Sequence, residues 1–159
     1  MTSSVYLETS IISYLTSKPS RDLISAARQN ITHRWWDRNY EAFALHTSTL
    51  VLREATSGDP EAARKRMETI AGLPVLTVNT AAETLASHLL TTNLVPPTSA
   101  EDALHIAIAT AHGMDYLLTW NFRHINNAAL KSRIATAIEA VGFECPILCS
   151  PEELGDIDP

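Results

Sequence analysis

The chain has 159 residues, 45% of them hydrophobic and 19% charged, with a formal net charge of -6. This profile suits one globular domain with a sizeable core and excludes a disordered chain. The acidic balance excludes a protein that grips nucleic acid with its whole surface, but leaves room for a local basic contact.

Strand-like and helix-like segments alternate along the chain. Val5–Leu7 reads as a strand and Ile11–Leu15 as a short helix that Lys18-Pro19-Ser20 breaks. Arg21–Glu41 has helical length, with Leu23, Ile24, Ala27, Ile31 and Trp35 in rough helical spacing. Phe43–Thr47 is a second strand, followed by a helix through Leu50, Val51 and Ala55 that stops at Gly58-Asp59-Pro60. Glu61–Ala71 is a helix closing at Gly72, Pro74–Val78 a third strand, and Thr80–Leu90 a helix ending before Pro96-Pro97. Ser99–His112 is a helix terminated by Gly113. Tyr116–Trp120 is a fourth strand, His124–Val141 a helix ending at Gly142, and Ile147–Cys149 a short fifth strand. Such alternation predicts an α/β fold, a parallel sheet of about five strands between helical layers.

No apolar run approaches the ~18 residues that span a bilayer. The N-terminus has no basic stretch leading into a signal-type segment. A cytoplasmic chain with no membrane partner is therefore expected. Cys145 and Cys149 are the only cysteines. Two thiolates do not complete a structural zinc site, so reduced structural thiols are expected. Between Lys18 and Arg38 five bases stand against Asp22 and Asp37, whereas from Glu144 onward five acids stand without a Lys or Arg. The expected organisation is one domain over residues 1–150 and a loose acidic tail over 151–159.

Parallel sheets carry their sites outside the carboxyl ends of the strands, at the switch point of the strand order. Glu8 ends the first strand there, and a carboxylate flush against a buried strand needs a partner. Glu54 follows the second strand, Asp102 opens the apolar helix "EDALHIAIATAHG", and Asn121 follows the fourth strand in "YLLTWNF". Oxygen ligands of this kind suit Mg²⁺ or Mn²⁺. Each residue also has a plainer reading. Asp102 completes a capping box with Ser99, Glu54 is a solvated helix residue, and Asn121 is a turn residue. Ser10 and Thr119 offer hydroxyls to metal waters or a phosphate, or serve as a helix cap and as strand polarity. His105 and His112 are too far apart on one helix to chelate one ion, so core or surface roles are expected of them. His124, beside Arg123, meets substrate phosphate or starts the next helix.

Three segments, "VYLETSIISYL", "STLVLREA" and "EDALHIAIATAHGMDYLLTWNF", resemble in order those of PIN-domain proteins, the ribonuclease fold of VapC-type toxins. The resemblance runs from Val5 to about Pro151. In that family the first strand ends in Asp-Thr or Asp-Ser, a Glu lies on the helix after the second strand, an Asp begins an apolar helix, and Thr-x-Asp follows the fourth strand. The matching positions are Glu8 with Thr9 and Ser10, Glu54, Asp102, and Thr119 with Asn121. Glu8 stands where Asp is usual, so a bound metal must move or the side chain must fold back. Asn121 stands where a carboxylate is usual and removes one negative charge.

The resemblance implies a three-layer α/β/α PIN-like domain and a Mg²⁺- or Mn²⁺-dependent ribonuclease. Glu8, Glu54, Asp102 and Asn121 are then the metal and catalytic residues, with Ser10 assisting. Thr119, Arg123, Arg34 and Arg38 are the substrate-binding candidates. It also implies an RNA substrate, a cognate antitoxin and a homodimer. "HRWWDRNY", residues 33–40, offers either an Arg/aromatic surface for single-stranded RNA or packing and an interface for its Trp residues. The competing function is a PIN fold that has lost efficient catalysis and binds RNA or protein. A phosphoacceptor receiver domain is also doubly wound, but it wants a Lys after the last strand, and "PILCSPEEL" has none.

Overall fold

The structure is a computed structural model that describes residues 2–155. Val5, Tyr6 and Leu7 of β1 (Ser4–Leu7) are fully buried, as a strand covered on both faces must be. With β2 (Ala44–Ser48), β3 (Val75–Leu76), β4 (Tyr116–Leu118) and β5 (Ile147–Cys149) it forms one five-stranded sheet in the order β3-β2-β1-β4-β5. Every pairing is parallel, and Tyr6 is registered against His46 on one side and Leu117 on the other. The chain steps outward from β1 through β2 to β3, then returns to the opposite side of β1 with β4. The switch point therefore lies between β1 and β4, where the crevice of an open α/β sheet opens.

Helices flank the sheet, giving the three-layer α/β/α architecture of a PIN-like domain. They are α1 (Thr9–Thr16), α2 (Leu23–Asn39), α3 (Thr49–Ala55), α4 (Pro60–Ile70), α5 (Thr80–Thr91), α6 (Ala100–Ala111) and α7 (Lys131–Ala140). Most begin at a side chain that accepts a first-turn N–H: Glu8, Asp22, Ser48, Asp59 and Asn79. α6 is buried along almost its whole length, from Ala103 to Thr110, and ends at Gly113, whose φ of +69° favours a residue without a Cβ. Among the described residues no helix is long and apolar enough to cross a membrane. Both cysteines are free, and burial pushes the Cys145 thiol up to about 11 and the Cys149 thiol up to about 12.

Two differences from the sequence reading have physical causes. The helix expected from His124 begins only at Lys131. Asn121 Oδ1 accepts the backbone N–H groups of Arg123 and His124, and Asn127 Oδ1 accepts that of Ala129. Asn126 donates its side-chain amide to Glu153. Asparagine side chains here offer the backbone an alternative to the helical ladder.

The second difference is the tail, whose first part is docked rather than loose. Leu154 is buried, and its carbonyl accepts the Trp35 indole N–H at 2.8 Å. Glu153 Oε1 accepts both the N–H and the hydroxyl of Ser150 at 3.0 Å. A Cβ at Gly155 would lie 2.9 Å from the Asn39 side chain, a second close approach between tail and α2. The remainder of the tail, with Asp156 and Asp158, lies outside the described residues.

Leu154→Ala is expected to destabilise the domain by about 2–3 kcal/mol, the lower range for a buried leucine. A urea midpoint equal to that of wild type would mean that the docked tail contributes nothing.

Candidate active site

The Glu8 side chain folds back over the start of α1. Its Oε2 accepts the Ser10 N–H at 3.0 Å, and its Oε1 accepts the Ser10 and Thr119 hydroxyls, each at 2.6 Å. At 7% exposure this carboxylate is fully supplied with donors from β4 and α1. Ser10 Oγ in turn accepts the Trp120 N–H at 2.9 Å, and Thr119 Oγ1 accepts the Asn121 N–H at 2.9 Å. Ser10 and Thr119 thus add side-chain ties between the carboxyl ends of β1 and β4, beside the Glu8 N–H bond to the Leu118 carbonyl. The longer side chain of Glu makes this reach possible.

Glu54, near the end of α3, belongs to a second set of bonds. Its Oε1 accepts the Thr9 hydroxyl at 2.7 Å and lies 2.6 Å from His105 Nε2. His105 Nδ1 lies 2.6 Å from the Tyr6 hydroxyl, which lies 2.9 Å from Ser48 Oγ. Ser48 Oγ accepts the Val51 N–H at the start of α3. Burial of Glu54 opposes ionisation, but the His105 hydrogen bond and charge, the Thr9 hydroxyl and Arg53 outweigh it and hold the carboxyl below its ordinary value. For Tyr6, burial raises the phenol far above its ordinary value, the Ser48 bond opposes this, and the charges of Glu8 and Glu54 add to it.

Asp102 does not cap α6. Ser99 stands at the N-cap position without a side-chain bond, and Asp102 Oδ2 pairs instead with His124 Nδ1 at 2.9 Å. Asp102 and His105 lie one turn apart on α6 and therefore on one face. The turn that carries His124 is held by Asn121. Glu8, Asn121 and Asp102 are thus linked through Thr119 and His124, whereas Glu54 stands beside this set through Thr9, next to Glu8 in the chain, and His105, one turn from Asp102.

They do not serve alike. Asn121 Oδ1 accepts two backbone N–H groups, so the turn draws on the same oxygen that was expected to face an ion. Glu54 Oε2 and Asp102 Oδ1 take no hydrogen bond from the described residues. Among the described residues no group of three or more His, Cys, Asp or Glu is gathered as a ready-made metal cluster. Magnesium needs no such cage: it is commonly held by one or two carboxylates, retained waters and substrate phosphate.

Arg123 is exposed beside this edge, whereas Arg34 and Arg38 sit on α2 away from the bonded set, both exposed. Trp35 is buried and Trp36 half-buried, so packing claims most of the indole surface of "HRWWDRNY". The partners that sequence reasoning missed are Tyr6, Ser48 and the role of His105. The one available signal was a tyrosine within a fully apolar strand, since a buried phenol needs a hydrogen-bond partner.

No protein-family model matches the sequence, and no curated protein does. Solved structures do resemble the fold. VapBC2 from Rickettsia felis, bound to a promoter DNA fragment, superposes with a TM-score of 0.60 at 16% identity, covering 92% of this chain and 98% of its own. The sarcin-ricin loop cleaving toxin VapC20 from Mycobacterium tuberculosis superposes with a TM-score of 0.57 at 19% identity, covering 87% of this chain and 95% of its own. The chain therefore has the PIN-like fold of VapC proteins.

Because the folded Glu54 carboxyl lies below its ordinary value of 4.5, its ionisation favours the folded state at pH values above that, and this contribution fades as pH falls through the lower folded value. Glu54→Gln is expected to be less stable than wild type near neutrality, with the gap narrowing in acid. Urea midpoints in metal-free buffer across that range check it, and a gap independent of pH would contradict it.

Proposed function

We propose that the chain is a Mg²⁺- or Mn²⁺-dependent endoribonuclease of the PIN, VapC-toxin type, and the toxin of a toxin–antitoxin pair. The observation that supports this reading is that Glu8, Glu54 and Asp102 stand at the carboxyl end of the sheet, with Glu54 bonded to Thr9 beside Glu8 and to His105 one turn from Asp102. An all-oxygen donor set fits a hard divalent ion. Glu54 and Asp102 would hold it through Oε2 and Oδ1, and Glu8, already supplied with donors, would add charge from behind. When bound, the ion supplies Lewis acidity toward a phosphoryl oxygen and a water.

The protein's own groups have definite tasks in this reading. His105 keeps Glu54 ionised and aimed, since its Nε2 bond leaves Oε2 as the outward oxygen. His124 orients Asp102, since its Nδ1 contact with Oδ2 leaves Oδ1 as the outward oxygen. Ser10 and Thr119 hold Glu8, and the exposed Arg123 meets the RNA phosphates. Partners of this reading are RNA, an antitoxin and a second copy of the chain, the last checked by light scattering at micromolar concentration.

Incubation with a mixed RNA pool is expected to give cleavage in Mn²⁺ or Mg²⁺ and none in EDTA. Asp102→Asn should lower turnover roughly tenfold or more with the fold retained. RNA that is bound but uncut under every condition would instead favour the binding-module function.

Asn121→Asp keeps the shape and the two accepted N–H bonds but adds a charge beside the Asp102–His124 pair. Calorimetry should show Mn²⁺ bound several-fold more tightly. Unchanged affinity would mean that Asn121 serves the turn alone.

A further inference from the structure

The loop that leaves β4 carries more than Thr119 and Asn121. Trp120 and Phe122 meet edge to face, with ring centroids 6.0 Å apart and planes at 74°. The Arg28 guanidinium of α2 lies over both, 5.5 Å from the Trp120 ring and 5.2 Å from the Phe122 ring. Trp120 is buried, while Phe122 is 40% exposed. Among the described residues no carboxylate forms an ion pair with Arg28, although Asp22 is near enough to feel its charge. Leu23, Ile24 and Ile31 line the same shallow groove of about 300 Å³, with Glu152 at its wall.

We propose that Phe122 and the Arg28 plane form a stacking platform for an unpaired base of single-stranded RNA, next to the phosphate held at the carboxylate edge. The proposal rests on the ribonuclease reading for its substrate class. Three observations select this occupant. A guanidinium held over aromatic rings still has N–H groups with which to meet phosphate oxygens. A flat aromatic face and a guanidinium plane together are the surfaces on which unpaired bases stack. The platform is also tied to the site by short bonds, since the Trp120 N–H donates to Ser10 Oγ, which itself holds Glu8. A base on Phe122 would therefore belong to a nucleotide at or beside the scissile phosphate. Arg34 lines an adjoining groove that shares Ile31 and Glu152, which gives the strand a basic continuation along α2.

The test is fluorescence anisotropy with a labelled single-stranded decamer RNA and its duplex form, in EDTA so that binding is read without cleavage. Wild type should bind the single strand more tightly than the duplex. Phe122→Ala should weaken single-strand binding roughly fivefold or more. Phe122→Tyr should restore it, and Arg28→Lys, which keeps charge but not the plane, should weaken it as well. Circular dichroism confirms that each variant is folded. Wild-type affinity in Phe122→Ala and Arg28→Lys would overturn the platform even if metal-dependent cleavage is found. A platform that binds with no cleavage in any metal would overturn the nuclease reading alone. Absence of RNA binding, together with self-association abolished by Ile24→Asp, would overturn the platform in favour of a protein contact.

Discussion

The position of one buried carboxylate organises the functional end of this molecule. Glu8 lies almost out of water, and a buried carboxylate without donors would be strongly destabilising. Three donors meet it: one backbone N–H and two hydroxyls. Two of these come from the helix that Glu8 itself starts and one from the end of the neighbouring strand. The same contacts therefore cap α1, tie β1 to β4 across the switch point, and fix the loop that carries Trp120, Asn121 and Phe122. An aspartate would have one methylene less with which to fold back onto Ser10 while meeting Thr119. The departure from the usual residue at this position thus has a structural consequence.

The second constraint is a hydrogen-bond chain that leaves α3 and comes back to it. It begins at the Val51 N–H, passes Ser48, Tyr6 and His105, and ends on Glu54. With Glu54 ionised, His105 Nε2 carries the proton that points at it. His105 Nδ1 meets the Tyr6 hydroxyl, and that hydroxyl meets Ser48. Every member then has a hydrogen-bond partner. Such a chain fixes the direction in which Glu54 presents its second oxygen. It also draws β1, β2, α3 and α6 into one rigid unit around the site.

The sheet and the edge residues were legible in the sequence because both depend on local pattern. A fully apolar strand followed by Glu8, and strand–helix alternation over the whole chain, are enough to predict a parallel sheet with Glu8 at its carboxyl edge. Glu54 is different, because a helical glutamate looks solvated until the distant Thr9 and His105 are brought to it. The pairing of Asp102 with His124 was hidden behind a capping motif that Ser99 does not complete. The late start of α7 turns on competition from the Asn121 and Asn127 side chains, and periodicity does not weigh that competition. The docked tail depends on Trp35 receiving a carbonyl from far along the chain. In each case the missing information was a long-range partner or a side chain competing with the backbone.

The acidic composition bears on recognition in a less direct way than its sum indicates. Glu8 is enclosed, Glu54 and Asp102 are each paired with a histidine, and Glu61 and Glu68 share Arg64 on α4. Exposed charge elsewhere on the surface is screened beyond about 8 Å at physiological ionic strength. A phosphate approaching the crevice is therefore governed by its immediate neighbours rather than by the net charge of -6. Those neighbours include Arg123 in the loop and Arg28 over the Phe122 ring. An anionic strand could then be attracted locally despite the chain's net negative charge. On the ribonuclease reading, such a balance would favour short, flexible, unpaired segments over rigid duplexes, because only the former can keep the rest of their charge away from the protein.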